Sequence, residues 1–194
     1  MLILASASPR RLELLERVGV TPVVQPANID ETERLGELPL PYVRRVAAAK
    51  ADAIVRGDGD WVLAADTIVE LDGIVLGKAQ SEREAAGMLR MLAGRTHRVS
   101  TAVALRGPTA VHHLLVTSEV DVVALDDDAI ADYVASGEWQ GKAGAYAVQG
   151  IAGALVREIR GSITNVIGLP LAEVVELLRS TGAAAPSFRR GRPA

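Results

Sequence analysis

The chain's apolar positions change period several times. Positions 2–5 are filled without interruption by apolar residues, as in a short buried strand. Ser8 and Pro9 then supply an N-cap and a first helical residue, where a missing N–H costs nothing. Leu12, Leu14, Leu15 and Val18 follow at helical spacing, and Gly19 closes the segment. Residues 21–24 suit a second strand, and 26–38 are polar and loop-like. A helix is expected over 41–55, with Val43, Val46, Ala47 and Ile54 facing the core. Residues 61–71 read as a strand, and Asp72-Gly73 is a two-residue hairpin turn into 74–76. Ser81-Glu82-Arg83-Glu84 matches a capping box ahead of a helix ending near Leu92.

Two long strands come next, over 96–106 and 110–125, joined at Gly107-Pro108. A short helix is expected at 126–135, a glycine-rich polar stretch at 137–153, a strand at 153–159 and a last helix at 170–178. The pattern predicts a single domain over 1–181 and a disordered tail over 182–194. Helices and strands intermix, yet the long hairpin is antiparallel. The expected class is therefore α/β (α+β) with a mixed β-sheet flanked by helices, not a clean doubly wound fold.

Composition narrows this picture. At 194 residues, 49% hydrophobic and 3% aromatic, the chain can build a sizeable core, and that core must be aliphatic. A net charge of -3 argues against a nucleic-acid binder, although a small anion needs only a local basic pocket. The absence of cysteine excludes disulfides, thiolate zinc sites and cysteine nucleophiles. The opening MLILAS is too short and too uncharged for a signal peptide, and no run reaches the ~18 apolar residues of a membrane span. A soluble, cytoplasmic protein with neither membrane nor nucleic-acid partners is expected.

Three segments carry candidate chemistry. In LASASPRR, residues 4–11, small residues let the backbone turn tightly into a helix N-terminus, whose free N–H groups attract anions. Arg10 and Arg11 stand in the first turn, where the helix dipole disfavours cations, so an outside anion would suit them. The same residues also fit a capped surface helix with solvated arginines. In AADTIV, residues 64–69, Asp66 sits in an apolar strand, where burial is costly unless the carboxylate is paired, metal-bound or at a cleft. Asp30 and Glu31 add carboxylates suited to Mg²⁺ or Mn²⁺ with substrate phosphates. In the glycine-rich 141–150, Lys142 can meet phosphate and Gln149 can read a base edge. Lys50 and Lys78, taken singly, read as solvated lysines. His97, His112 and His113 lack metal-ligand spacing, and no GxSxG accompanies Ser6 or Ser8.

Taken together, these segments resemble the Maf family of nucleoside triphosphate pyrophosphatases. The likeness spans residues 2–178 through LASASPRR, IDE at 29–31, Lys50 in AAAKA, AADTIV, GK at 77–78, GRTHRVSTAV at 94–103, KAGAYAVQG at 142–150 and GSITNVIGLPL at 161–171. The resemblance implies a homodimer with an elongated mixed sheet, two lobes like those of inosine triphosphate pyrophosphatases, and a central cleft. It implies hydrolysis of a nucleoside triphosphate to monophosphate and pyrophosphate with a divalent metal cation (Mg or Mn). Asp66 would be the proton acceptor, and Glu31 with Asp66 would hold the metal. Arg11, Lys50 and Lys78 would clamp phosphate together with backbone near Ser8. Arg10, Thr67 and Gln149 would bear on substrate choice, and that set resembles the members preferring dTTP and UTP, with modified pyrimidine nucleotides as the alternative substrates.

The chain departs from the family pattern at Ala147-Val148, at Ala79 after Lys78, and at Trp139. If position 147 requires a positive φ, Ala147 would be strained. The rival expectation is a nucleotide-binding regulator of cell division without turnover.

Overall fold

The computed structural model describes residues 1–188. Seven strands form one sheet: β1 (Leu2–Leu4), β2 (Val23–Val24), β3 (Trp61–Leu71), β4 (Ile74–Leu76), β5 (Thr96–Arg106), β6 (Val111–Val122) and β7 (Val156–Arg160). Six helices flank it: α1 (Pro9–Arg17), α2 (Pro39–Asp52), α3 (Glu82–Leu92), α4 (Asp127–Ala135), α5 (Ile163–Ile167) and α6 (Leu171–Thr181). The spatial order is β2-β1-β3-β5-β6-β7, with β4 also pairing to β3. β1 runs parallel to β2 and β3, and every other pairing is antiparallel, so the sheet is mixed as expected.

Local chemistry explains most element ends. Asp72 and Gly73 both take positive φ, 52° and 83°, as a type I′ hairpin turn requires. Ser81 Oγ accepts from the Glu84 N–H at 3.2 Å, and the Glu84 carboxylate accepts from the Gln80 N–H at 2.8 Å. This is the reciprocal capping expected at α3, shifted by one residue on the return bond. α5 has no counterpart in the apolar pattern, because five residues are too few for a periodic signal; Ser162 caps it through the Asn165 N–H at 3.2 Å. The strand expected from residue 153 begins at Val156, preceded by a 3₁₀ turn at Ile151–Leu155.

The tail also differs from expectation over its first part. The Ser187 N–H donates to the Val18 carbonyl at 2.8 Å, Arg179 donates to the Pro186 carbonyl at 3.1 Å, and Pro186 is buried. Residues 182–188 thus lie against the end of α1 and α6, through partners that no local pattern announces. The rest of the expected disordered tail, 189–194, lies outside the described residues.

The long strand β3 organises the core. On one face Leu63 and Ala65 pack with Leu14, Leu15, Val174 and Leu178 of α1 and α6. Further along that face, Val69 and Leu71 join a second core with α3 and α4. On the opposite face Val62 and Ala64 pack with Ala51 and Ile54, and Ile68 packs with Val43 and Ala47. Thr67 and Asp66 therefore fall in the gaps between these cores, one on each face, because successive side chains alternate.

Pairing leaves the same place open. β5 pairs with β3 along Val62–Glu70, but on the other side β1 reaches only Leu63 and β4 begins only at Val69. Residues 64–68 have no strand neighbour there, and the chain leaving β1 turns into α1 at this gap. No helix of the described residues is long and apolar enough to cross a membrane.

Candidate active site

A cavity of about 730 Å³ opens at the gap in β3. Its near wall is residues 5–11, its floor is Asp66 to Val69, and its far wall is residues 76–78 and 140–149. Arg10, Arg11, Lys50, Lys78 and Lys142 line it against two carboxylates, Glu31 and Asp66. Five cations facing two anions suit a polyphosphate in an otherwise acidic chain.

The near wall is a helix start that no side chain caps. Ser8 occupies the N-cap with φ -78° and ψ 115°, but its hydroxyl makes no capping bond. The Ser8 N–H donates instead to Ser6 Oγ at 3.1 Å. Pro9 opens the helix, and no acidic residue stands in its first turn. The positive end of α1 therefore faces the cavity without an internal anion to neutralise it.

Arg10 and Arg11 have different surroundings. Arg11 is buried and donates from Nε to the Gly168 carbonyl at 2.8 Å, from Nη1 to Ser6 Oγ at 3.1 Å and from Nη2 to Thr67 Oγ1 at 3.0 Å. Burial lowers its pKa, while Asp66 nearby opposes that fall. It ties together Ser6 of the near wall, Thr67 of the floor and Gly168, which also lines the cavity. Arg10 is half-buried, and its Nε is enclosed without a partner.

The floor holds a three-membered charge cluster. Lys50 Nζ donates to Asp66 Oδ1 and to Glu31 Oε2, both at 2.8 Å. Lys50 and Asp66 are buried at 8% exposure each, because α2 lays the Lys50 side chain among its core-facing Val43, Val46, Ala47 and Ala51. Asp66 Oδ2 has no hydrogen bond and is not enclosed, so it is open to the cavity. Glu31 sits in the loop before α2, and that loop is pinned from the helix. Tyr42 Oη donates to the Glu31 carbonyl at 2.9 Å, and Arg45 grips Glu37 at 2.6 and 2.7 Å and the Thr32 carbonyl at 3.0 Å. Asp30 is not part of the cluster; it accepts from the Thr32 N–H at 2.9 Å.

No three His, Cys, Asp or Glu residues converge among the described residues. Glu31 and Asp66 still offer hard carboxylate oxygens beyond those held by Lys50. Such a pair fits Mg²⁺ or Mn²⁺ when phosphate and water complete the shell, which is how Mg²⁺ is commonly held.

The far wall is built by backbone contact between two loops. Lys78 and Ala143 form an antiparallel bridge, and the Gly144 N–H donates to the Leu76 and Gly77 carbonyls, each at 3.0 Å. Lys78 and Gln149 are exposed on this wall, and Lys142 Nζ rests on the Gln140 carbonyl at 2.9 Å. Gly144 takes φ +66°, and a Cβ there would lie 2.9 Å from Val69 Cγ1. Position 147 does not take a positive φ, so Ala147 is unstrained there; it is Ala145 that has positive φ, at 59°. Trp139 is buried and donates to the Val134 carbonyl at 3.0 Å, which anchors the loop where it leaves α4.

Several residues here had no assigned role in the sequence. Buried His97 meets Tyr146 Oη at 2.8 Å and holds it in the cavity wall; burial lowers the His97 pKa to about 4. Thr101 Oγ1 lies 2.9 Å from Thr67 Oγ1 and donates to the Asn165 carbonyl at 3.0 Å. Both belong to motifs whose order was legible, GRTHRVSTAV and GSITNVIGLPL, but a Thr or Asn within such a motif carries no chemical signal until its partners are known.

A family model described as Maf-like protein matches residues 1–181. The dTTP/UTP pyrophosphatase of Cereibacter sphaeroides is 51% identical over 189 residues, covering 97% of this chain and 97% of that protein. The dTTP/UTP pyrophosphatase of Ruegeria sp. is 49% identical, covering 93% and 94%, and that of Zymomonas mobilis is 49% identical, covering 97% and 96%. Among solved structures, the Staphylococcus aureus Ham1 protein is similar at 16% identity and a TM-score of 0.43, over 62% of this chain and 71% of its own.

Proposed function

This chain belongs to the Maf-like family, and from that premise we propose that it hydrolyses nucleoside triphosphates, dTTP and UTP above others, to the monophosphate and pyrophosphate. The observation that carries this reading is the Lys50 bridge between Glu31 and Asp66, set in the open gap of β3 opposite the uncapped start of α1. It places a carboxylate and an anion cradle on the same cavity.

In this mechanism the triphosphate lies along the cations, with oxygens on the α1 N-terminus near Ser8, on Lys78 and on Lys142. Arg11 holds the near wall and adds its remaining N–H groups to the phosphates. Asp66 Oδ2 accepts a proton from a water as that water's oxygen bonds to the α-phosphorus. The bond from the α-phosphorus to the bridging oxygen breaks, and pyrophosphate leaves. Lys50 keeps Asp66 oriented and balances the charge of the two carboxylates. Arg10, Thr67 and Gln149 contact the nucleoside and bear on its choice. Asp66 and Glu31 are the residues that would hold Mg²⁺ or Mn²⁺, which when bound supplies charge neutralisation on the phosphates. The enzyme acts in the cytoplasm as a homodimer, without membrane or nucleic-acid partners.

The test is a panel of nucleoside triphosphates with Mg²⁺ or Mn²⁺, followed by phosphate detection with and without added inorganic pyrophosphatase. Phosphate should appear from dTTP and UTP only when pyrophosphatase is present. Binding without any product would overturn the enzymatic reading in favour of a nucleotide-binding regulator.

A further inference from the structure

Hydroxyl groups in the floor of the cavity form a chain whose direction can be counted out. Thr101 is fully buried on β5 and its hydroxyl has one proton. That proton goes to the Asn165 carbonyl at 3.0 Å, which can only accept. Towards Thr67, 2.9 Å away, Thr101 must therefore accept, and Thr67 must donate. The opposite direction would give up the bond to Asn165 and leave Thr67 donating to the Gly168 carbonyl at 3.5 Å, beyond the ordinary range for O–H···O bonds. Arg11 Nη2 donates to Thr67 at 3.0 Å and takes one lone pair. Thr67 is left with one free lone pair and no proton for a ligand.

Asn165 is itself held rigidly. Its Nδ2 donates to the Val99 carbonyl at 2.9 Å and to Ser118 Oγ at 3.0 Å, and the residue is fully buried. The direction of the chain is thus fixed from α5 through β5 to β3, away from the cavity. A ligand group at Thr67 must donate, and a phosphate oxygen cannot. Arg10 lines the same cavity, and its enclosed Nε has no partner within the protein.

We infer that Thr101 and Asn165 are specificity-determining residues, which make Thr67 an acceptor for the imide N–H of a uracil or thymine base. This rests on the reading that the cavity takes a nucleoside triphosphate. Cytosine offers a ring nitrogen that accepts at the corresponding position, so it would face Thr67 lone pair to lone pair. A site built to hydrogen-bond one group rejects a ligand lacking it far more strongly than a merely apolar pocket does. Thr101 acts through Thr67 and is a positioning residue.

Equilibrium binding of non-hydrolysable α,β-methylene analogues of UTP and CTP tests this without requiring turnover. The wild-type protein should favour the UTP analogue by about tenfold or more. Thr101→Val keeps the shape but frees the Thr67 proton, and should shrink that preference at least about fivefold. Thr101→Ser restores the hydroxyl and should return it to within about twofold. Thr67→Val, which leaves Thr101 intact, should also abolish the preference, and keeps the test valid should Thr101→Val unfold on heating. An unchanged UTP-to-CTP ratio in folded Thr101→Val, or no preference in the wild type, overturns the inference. Turnover of UTP by the wild type, read separately, decides the enzymatic reading; a protein that binds selectively without turnover would refute that reading alone.

Discussion

Lys50 Nζ stands 2.8 Å from Asp66 Oδ1 and 2.8 Å from Glu31 Oε2, so a single ammonium joins two carboxylates 35 positions apart in the chain. Removing the ammonium leaves both anions facing each other in a partly dry cleft. Loss of one partner of an enclosed ion pair costs roughly 3–5 kcal/mol, and less where water enters, as it does here. Lys50→Ala should therefore lower the urea midpoint and reduce turnover together. A Lys50→Ala protein with unchanged stability and unchanged kcat would show that the bridge is incidental.

Asp66→Asn keeps the size of the side chain and removes its basicity. Proton transfer by a positioned base contributes about 10²–10⁴-fold. We expect kcat for dTTP to drop by that order, while circular dichroism and Tm stay close to wild type. Turnover within a few-fold of wild type would rule out Asp66 as the proton acceptor.

Lys78 is exposed on the far wall and carries none of the core. Lys78→Ala should raise KM for the triphosphate about tenfold, the value of one charge-assisted bond to phosphate at the low end, with Tm unchanged. Measuring KM and kcat separately checks this, since a residue outside the phosphate path would move neither.

Gly144→Ala adds a Cβ at φ +66° that meets Val69 Cγ1 at 2.9 Å. A cost of about 1–3 kcal/mol is expected from backbone strain and overpacking. Because Gly144 also closes the bridge between the two loops of the far wall, KM should rise as well. Denaturant unfolding and substrate titration report the two effects independently.

His97 gives the fold a dependence on acidity. Burial holds its pKa at about 4, below its ordinary 6.5. Between those values the unfolded chain binds more protons than the folded one, so stability rises with pH across this window. The contribution is complete above about pH 6.5 and is lost progressively as pH falls towards 4, with a slope of at most about 1.4 kcal/mol per unit. His97→Gln should flatten that part of the profile. Parallel profiles for the two proteins between pH 4 and 6.5 would contradict it.

Much of the site was legible in residue types and their order. A lone carboxylate in the apolar strand 64–69 and two arginines against a helix dipole suggested an anion and a cation site, whereas Lys50 and Lys78 read singly as solvated lysines. The resemblance assigned Arg11 to phosphate and Arg10 to substrate choice, but the residues taken alone gave no physical reason for that split. Arg10 and Arg11 are neighbours in the same helical turn, yet one is enclosed on three protein acceptors and the other keeps an unpartnered Nε. Nothing local to positions 10 and 11 distinguishes them, because the acceptors come from Ser6, Thr67 and Gly168.

Short-range periodicity, caps and turns, which act over a few residues, were enough to place most elements and several of their ends, but not α5 or the 3₁₀ turn before β7. The hairpin at Asp72-Gly73, the start of α1 at Pro9 and the bounds of β3 and β5 follow from such short-range terms. Long-range packing sets the rest: β1 and β4 stop short of each other along β3, Lys50 lies between Glu31 and Asp66, and Thr101 and Asn165 turn the Thr67 proton away from the cavity. The hydrogen bonds among them join residues 16 to 64 positions apart. They are set by how the separate cores close around β3, a long-range packing outcome that short-range propensity does not encode.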